Sequence, residues 1–296
     1  MKHLPLLFIL ILFTGCTSQP VLQTAPIPSP TPEGASLPEP TPTSAPPTSG
    51  SPTSTPGEVT QPAATPTVEE PASSPIPEET QQPDALKSEV QIEAADGLLI
   101  SGTFHSGTGA PPWPGILLLH MVSGDRSQWD ELVPRLTGNG YAVLAVDLRG
   151  HGATGGQIDW EKAQEDTLAV RNYLAEREHI QHGNIALVGA SIGANLALAA
   201  AATDPDITTV VLLSPGLNYF GVTTLEALEP YEARPLFLAA SSEDQYAAES
   251  SQALAESALG ETELHIFEGA GHGTAMLSRE PELEGKILDW LARFVK

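Results

Sequence analysis

Runs of apolar residues recur through the second part of the chain, at 116–119, 141–146, 185–188 and 208–213. Each is short, is bounded by Gly or polar residues, and reads as a strand buried on both faces. Residues 90–95 and 98–104 read as two further strands around the turn signal Asp96-Gly97, and 236–239 and 263–267 as two more. Between them lie segments of helical spacing. They fall near 127–137, closed by Gly138-Asn139-Gly140, and at 160–178, 194–202, 246–259 and 282–294. In the second of these, Leu168, Val170, Tyr173 and Leu174 fall on the core-facing side. Regular alternation of apolar strand and amphipathic helix predicts an α/β fold. Its central sheet is mostly parallel, has about eight strands, and carries helices on both faces. In such sheets ligands bind at the carboxyl ends of the strands, so the residues just after each strand carry the interest.

The first 85 residues follow no such pattern. Lys2 and His3 precede an apolar run from Leu4 to Phe13. Ten residues are too few for a helix that must cross about 30 Å of hydrocarbon, which takes roughly 20. A basic start and a short apolar run fit a secretory signal. The run ends at Phe13-Thr14-Gly15-Cys16, which resembles the end of a bacterial lipoprotein signal. That resemblance implies a signal peptide over residues 1–16 whose terminal Cys16 is acylated and becomes the new N-terminus, and a lipid-anchored, extracytoplasmic protein. Two or more acyl chains make such anchoring stable. Ordinary signal cleavage with an incidental Cys is the alternative. Residues 17–85 are Pro/Thr/Ser repeats, and 19 of the 28 prolines lie in residues 1–85. With almost nothing apolar to bury, the segment reads as a disordered, semi-rigid linker. Residues 86–296 then form one domain with a sizeable core.

Charge narrows the partners. The chain has 13 Lys+Arg against 37 Asp+Glu, a formal net charge of −24, which argues against nucleic acid because phosphate is repelled. A single Cys excludes a disulfide framework and any multi-Cys metal site. No His/Asp/Glu cluster has metal-ligand spacing and no Gly-rich loop reads as a phosphate cradle, so neither metal nor cofactor is expected.

Chemistry enters after the strands. Gly189-Ala190-Ser191-Ile192-Gly193 stands between a predicted strand and an Ala-rich helix. A Gly-x-Ser-x-Gly turn there is too tight for Cβ atoms at the glycines and pushes the serine Oγ into the open. Alone, the pentapeptide could equally be a helix N-cap. Two later strands run into Ser241-Ser242-Glu243-Asp244 and Gly269-Ala270-Gly271-His272-Gly273. The order Ser191, Asp244, His272, together with Leu117-Leu118-Leu119-His120 and Asp147-Leu148-Arg149-Gly150-His151-Gly152, resembles the α/β-hydrolase superfamily. The likeness spans residues 87–296 and is nearest the dienelactone-hydrolase-like and serine-aminopeptidase-like group.

The resemblance implies roles. Ser191 is the nucleophile, His272 the base, and Asp244 the acid that orients it, with Glu243 in the same loop as the other candidate acid. An oxyanion needs two fixed donors, each worth about 3–4 kcal/mol. The backbone N–H of Ile192 is one, and that of Val122, or of Met121, is the other. His120 and His151 read as loop hydrogen-bonders, and Asp147 and Arg149 as a brace. His120, Met121, Tyr219 and Phe220 are candidate pocket residues, with Trp129 and Tyr231 as further possibilities. Residues 214–234 form a cap of only about 20 residues, too short for a multi-helix lid. The expectation is therefore a serine esterase with a fairly open pocket for small-molecule esters of small or medium size. Thioesters, lactones and amides stay open, as do a peptidase or amidase of the same fold and a non-catalytic binding protein on a hydrolase scaffold.

Overall fold

The structure is a computed structural model that describes residues 87–296. The signal, Cys16 and the Pro-rich linker lie outside the described residues. Ten strands alternate with helices: β1 (Lys87–Glu93), β2 (Leu99–His105), β3 (Trp113–Leu119), α1 (Leu132–Gly138), β4 (Ala142–Val146), α2 (Trp160–Glu176), β5 (Ile180–Ala190), α3 (Ile192–Thr203), β6 (Ile207–Leu213), β7 (Asn218–Tyr219), β8 (Val222–Thr223), α4 (Leu228–Tyr231), β9 (Leu236–Ser241), α5 (Gln245–Ser257), β10 (Thr262–Phe267), α6 (Ala275–Arg279) and α7 (Pro281–Phe294). Eight strands form one sheet in the order β1-β2-β4-β3-β5-β6-β9-β10, and β7 pairs with β8 apart from it. From β4 to β10 all neighbours are parallel, while β2 is antiparallel to both β1 and β4. The mostly parallel eight-stranded sheet agrees with the expectation from the sequence.

The apolar runs are explained by packing on both sides. Leu117 and Leu119 face one layer with Leu187, Leu212 and helices α2 and α3, whereas Ile116 and Leu118 face the other with Val188, Val211 and helices α1 and α7. Because side chains alternate along a strand, a strand covered on both faces has no polar positions to spare. Residues 116–119 are fully excluded from solvent. In the second layer Trp290 donates its indole N–H to Thr209 Oγ1 at 3.0 Å, so its one polar group is satisfied within the core.

Three stretches differ from the sequence expectation. The helix expected near 127–137 is a single 3₁₀ turn, Arg126–Trp129, followed by the separate short α1. Asp125 caps that turn by accepting the Ser127 N–H at 2.8 Å, and Asp147 takes the Arg126 N–H at 2.8 Å. These side chains satisfy the first donors of the turn, which have no partner within a helix. The strand expected at 185–188 is the inner part of the longer β5. The cap is not a plain loop but holds the β7–β8 hairpin and α4.

Candidate active site

The turn at Ser191 is built by steric necessity. Ser191 sits between β5 and α3 at φ 54° and ψ −122°, a conformation that non-glycine residues rarely adopt and that costs on the order of 1–3 kcal/mol. A Cβ on Gly189 would lie 2.2 Å from the Gly193 carbonyl oxygen, and one on Gly193 would lie 2.2 Å from that of Leu119. Only glycine allows these approaches. The Ser191 N–H bonds to Leu213 O at 2.8 Å, and its carbonyl accepts from the N–H groups of Ala194 and Asn195. With its backbone committed, the serine makes no side-chain cap to α3, which removes the plain N-cap reading.

On the neighbouring strands the loops after β9 and β10 meet. His272 Nδ1 is 2.5 Å from Asp244 Oδ2, with the histidine side chain 41% and the aspartate 20% exposed. Glu243, the other candidate acid, turns away from the imidazole. Its Oε2 accepts from Ser241 Oγ at 2.6 Å, Ser242 Oγ at 3.2 Å and the Gly269 N–H at 2.7 Å. The Ser241 hydroxyl first, then the Gly269 amide, lower its pKa to about 2. Glu243 is thus a strap between the two loops, and Asp244 is the carboxylate that touches the ring.

Sequence reasoning missed Ser214 and Asn195. Ser214 ends β6, and its Oγ accepts the Gly273 N–H at 2.9 Å, fixing the residue after His272. Asn195, one turn into α3, donates to Gly216 O at 2.9 Å and Val222 O at 2.7 Å and accepts the Gly216 N–H at 3.1 Å. It therefore pins the cap to the helix that starts at the nucleophile. A buried Asn in an otherwise apolar helix was the available signal.

In the loop after β3 the two candidate donors differ in their engagement. The Met121 N–H is engaged by Gln128 Oε1 at 3.2 Å, and Gly124 leaves the room that the Gln128 side chain occupies. Among the described residues, no acceptor is paired with the N–H of Val122 or of Ile192. The Ile192 N–H opens α3, where the helix dipole favours negative charge. Behind this loop His120 is fully buried. Its Nδ1 meets Met121 O at 2.7 Å, and its Nε2 accepts the Leu148 N–H at 2.9 Å. Burial lowers its pKa, consistent with a neutral ring donating from Nδ1. His120 is therefore a brace between the β3 and β4 loops and not a pocket wall, as one expectation had it.

The remaining pocket candidates separate. Met121 reaches the His272 loop, since a Cβ on Gly273 would lie 2.8 Å from its sulfur. Tyr219 lies beside the imidazole, ring centroids 6.4 Å apart and edge-on, and its hydroxyl donates to Ser214 O at 3.5 Å. Phe220 points elsewhere: it is 60% exposed and stacks on Trp160 at 5.3 Å. Trp129 and Tyr231 belong to the core, 0% and 1% exposed. His151 Nδ1 meets Arg149 O at 2.9 Å, fixing its own loop. Arg149 pairs with Asp166 at 2.7 Å and Asp96 at 2.8 Å, and Asp147 with Arg126, so both act as braces.

Comparison with known proteins agrees with this architecture. Residues 114–230 match a family model described as alpha/beta hydrolase fold, a span that contains Ser191 but stops short of Asp244 and His272. An uncharacterized protein of Mycobacterium tuberculosis is 27% identical over 245 residues, covering 76% of this chain and 84% of that protein. Among solved structures, the acetyl xylan esterase from Paenibacillus sp. R4 is similar with a TM-score of 0.62 at 20% identity, covering 70% of this chain and 84% of that one. The dienelactone hydrolase from Anabaena variabilis has a TM-score of 0.60 at 18% identity, covering 72% and 99%. The chain has the α/β-hydrolase fold.

Gly193→Ala is expected to force the Leu119 and His120 carbonyls away and to destabilise the domain by about 3 kcal/mol. Calorimetry should then read a Tm lowered by roughly 6–12 °C. An unchanged Tm contradicts the steric account of the turn.

Proposed function

We propose that this chain is a serine hydrolase that cleaves carboxylic esters of small or medium size through an acyl-enzyme. The observation that carries the reading is the contact of His272 Nδ1 with Asp244 at 2.5 Å, at the same carboxyl edge of the sheet as a serine held at a strained strand-to-helix turn. Ser191 Oγ attacks the acyl carbon as its proton passes to His272 Nε2. Asp244 accepts from Nδ1–H, which keeps the ring in the tautomer with Nε2 free and stabilises the imidazolium. The oxyanion takes the two unengaged amides, Ile192 and Val122, which are fixed before the reaction begins. His272 then protonates the leaving alcohol. In the second half it takes a proton from water, which displaces the acyl group as a carboxylic acid and returns Ser191 to its starting state. The cap supports substrates of modest size, because between β6 and β9 it holds only two-residue strands and the four-residue α4.

The location proposed with this activity is extracytoplasmic, with lipid on Cys16 and residues 17–85 as spacer. At about 3.1 Å per residue, an extended linker reaches on the order of 200 Å from the anchor.

Two measurements test these claims. The full-length protein should turn over p-nitrophenyl acetate and butyrate. Ser191→Ala should abolish that turnover, Asp244→Asn should lower kcat by about 10⁴-fold, and Glu243→Gln should leave it within severalfold of the parent. Absence of turnover favours the binding-protein alternative, and full activity in Asp244→Asn with loss in Glu243→Gln overturns the assigned acid. In cells fed an alkyne palmitate, the parent should become labelled and Cys16→Ser should not. Mature protein with an unmodified Cys16 removes the lipid anchor.

A further inference from the structure

We propose that Tyr219 is a catalytic residue whose hydroxyl, on a ring held edge-on beside His272, donates a hydrogen bond to the leaving-group oxygen as the acyl C–O bond breaks. The proposal rests on the serine-hydrolase reading above and adds to it a group that the triad and the oxyanion amides do not supply.

The position of Tyr219 is over-determined. Gly216 lacks the Cβ that would sit 2.7 Å from Cζ and Cε2, so the hydroxyl-bearing end of the ring packs on bare backbone. Tyr246 meets the ring edge-on at 5.6 Å, and its own hydroxyl accepts the Asn218 N–H at 2.9 Å and donates to Asn218 O at 3.1 Å. The hairpin turn is closed by Asn218 Oδ1, which accepts the Gly221 N–H at 2.8 Å. Asn195 fastens Gly216 and Val222 to α3. A side chain that only filled space would need none of these. They hold a half-buried phenol beside the His272 ring.

Its chemistry follows from its partners. Burial, followed by the Asp244 charge, raises the phenol pKa, so Tyr219 stays protonated where His272 works as a base. It is a donor and not a second base. In the resting site its hydroxyl reaches Ser214 O at only 3.5 Å, a weak bond that is readily exchanged. When Ser191 passes its proton to His272 and binds the acyl carbon, the oxygen beside both His272 and Tyr219 that gains charge on collapse is that of the leaving group. The carbonyl oxygen lies with the Ile192 and Val122 amides, which come from α3 and the β3 loop and not from the cap. His272 still supplies the proton, and Tyr219 keeps its own throughout.

The test compares esters of one acid that differ only in leaving group, ethyl butyrate and p-nitrophenyl butyrate, with the full-length parent and Tyr219→Phe. Nitrophenolate departs with little help, whereas ethoxide needs it. Tyr219→Phe should lower kcat/KM for the ethyl ester by on the order of 10- to 100-fold more than for the nitrophenyl ester, the range of a hydrogen bond to a charged group. KM and Tm should change little. The ratio between the two substrates does not depend on how much variant folds, so partial misfolding leaves the result readable. Equal losses on both esters, or a gain on either, overturn the leaving-group role while the hydrolase reading stands. A parent that cleaves neither ester brings down both.

Discussion

The geometry of this site depends on one close approach, that of the start of α3 to the end of β3. At Gly193 the helix backbone lies so near the Leu119 and His120 carbonyls that a single added carbon would overlap them, and Gly189 makes the same concession to α3 from within β5. This proximity bends the chain sharply enough to hold Ser191 at positive φ and to aim the first turn of α3, with its free Ile192 amide, at the same point in space. The strain is local. It is held by the parallel pairing of β5 with β3 and β6, whose residues in this region are fully buried on both faces.

Around that turn, loops from five strand ends are tied to one another by polar side chains. His120 joins the β3 loop to Leu148 after β4, and Asp147 joins it again through the backbone N–H and guanidinium of Arg126 and the N–H of Ala153. Ser214 joins the end of β6 to Gly273, and Glu243 joins the β9 loop to Gly269. Carboxylates suit this work because each can accept from several backbone N–H groups that loops leave without strand partners, and a neutral imidazole because it accepts one N–H while donating to one carbonyl. The Arg149–Asp166 pair, almost wholly buried, adds little net stability by itself but orients the β4 loop.

Much of this was legible in the sequence. The apolar runs named the strands, because a doubly covered strand has no freedom to be polar. Ser191, Asp244 and His272 stood out because each follows a strand in a recurring order. What stayed hidden depends on contacts between residues far apart in the chain. The start of the turn at Arg126 is fixed by Asp125 and Asp147, which capture its first backbone donors, one of them from 21 residues away. Tyr231 is aromatic and in the cap, yet it turns into the core because its hydroxyl finds Pro235 O. Tyr219 and Phe220 are adjacent in sequence, but a two-strand hairpin sends their side chains to opposite sides, one to His272 and one to Trp160. Periodicity cannot see a hairpin of two-residue strands.

The central claim is that the hydroxyl at the strained turn is activated by the imidazole that Asp244 orients. Reaction with a fluorophosphonate, followed by peptide mass spectrometry, tests it most directly. The account predicts a single adduct on the peptide carrying Ser191, formed at least 10³-fold more slowly when His272 is replaced by Gln, as expected for loss of the activating base. An adduct on another residue, or labelling of Ser191 at the same rate without the imidazole, would contradict it.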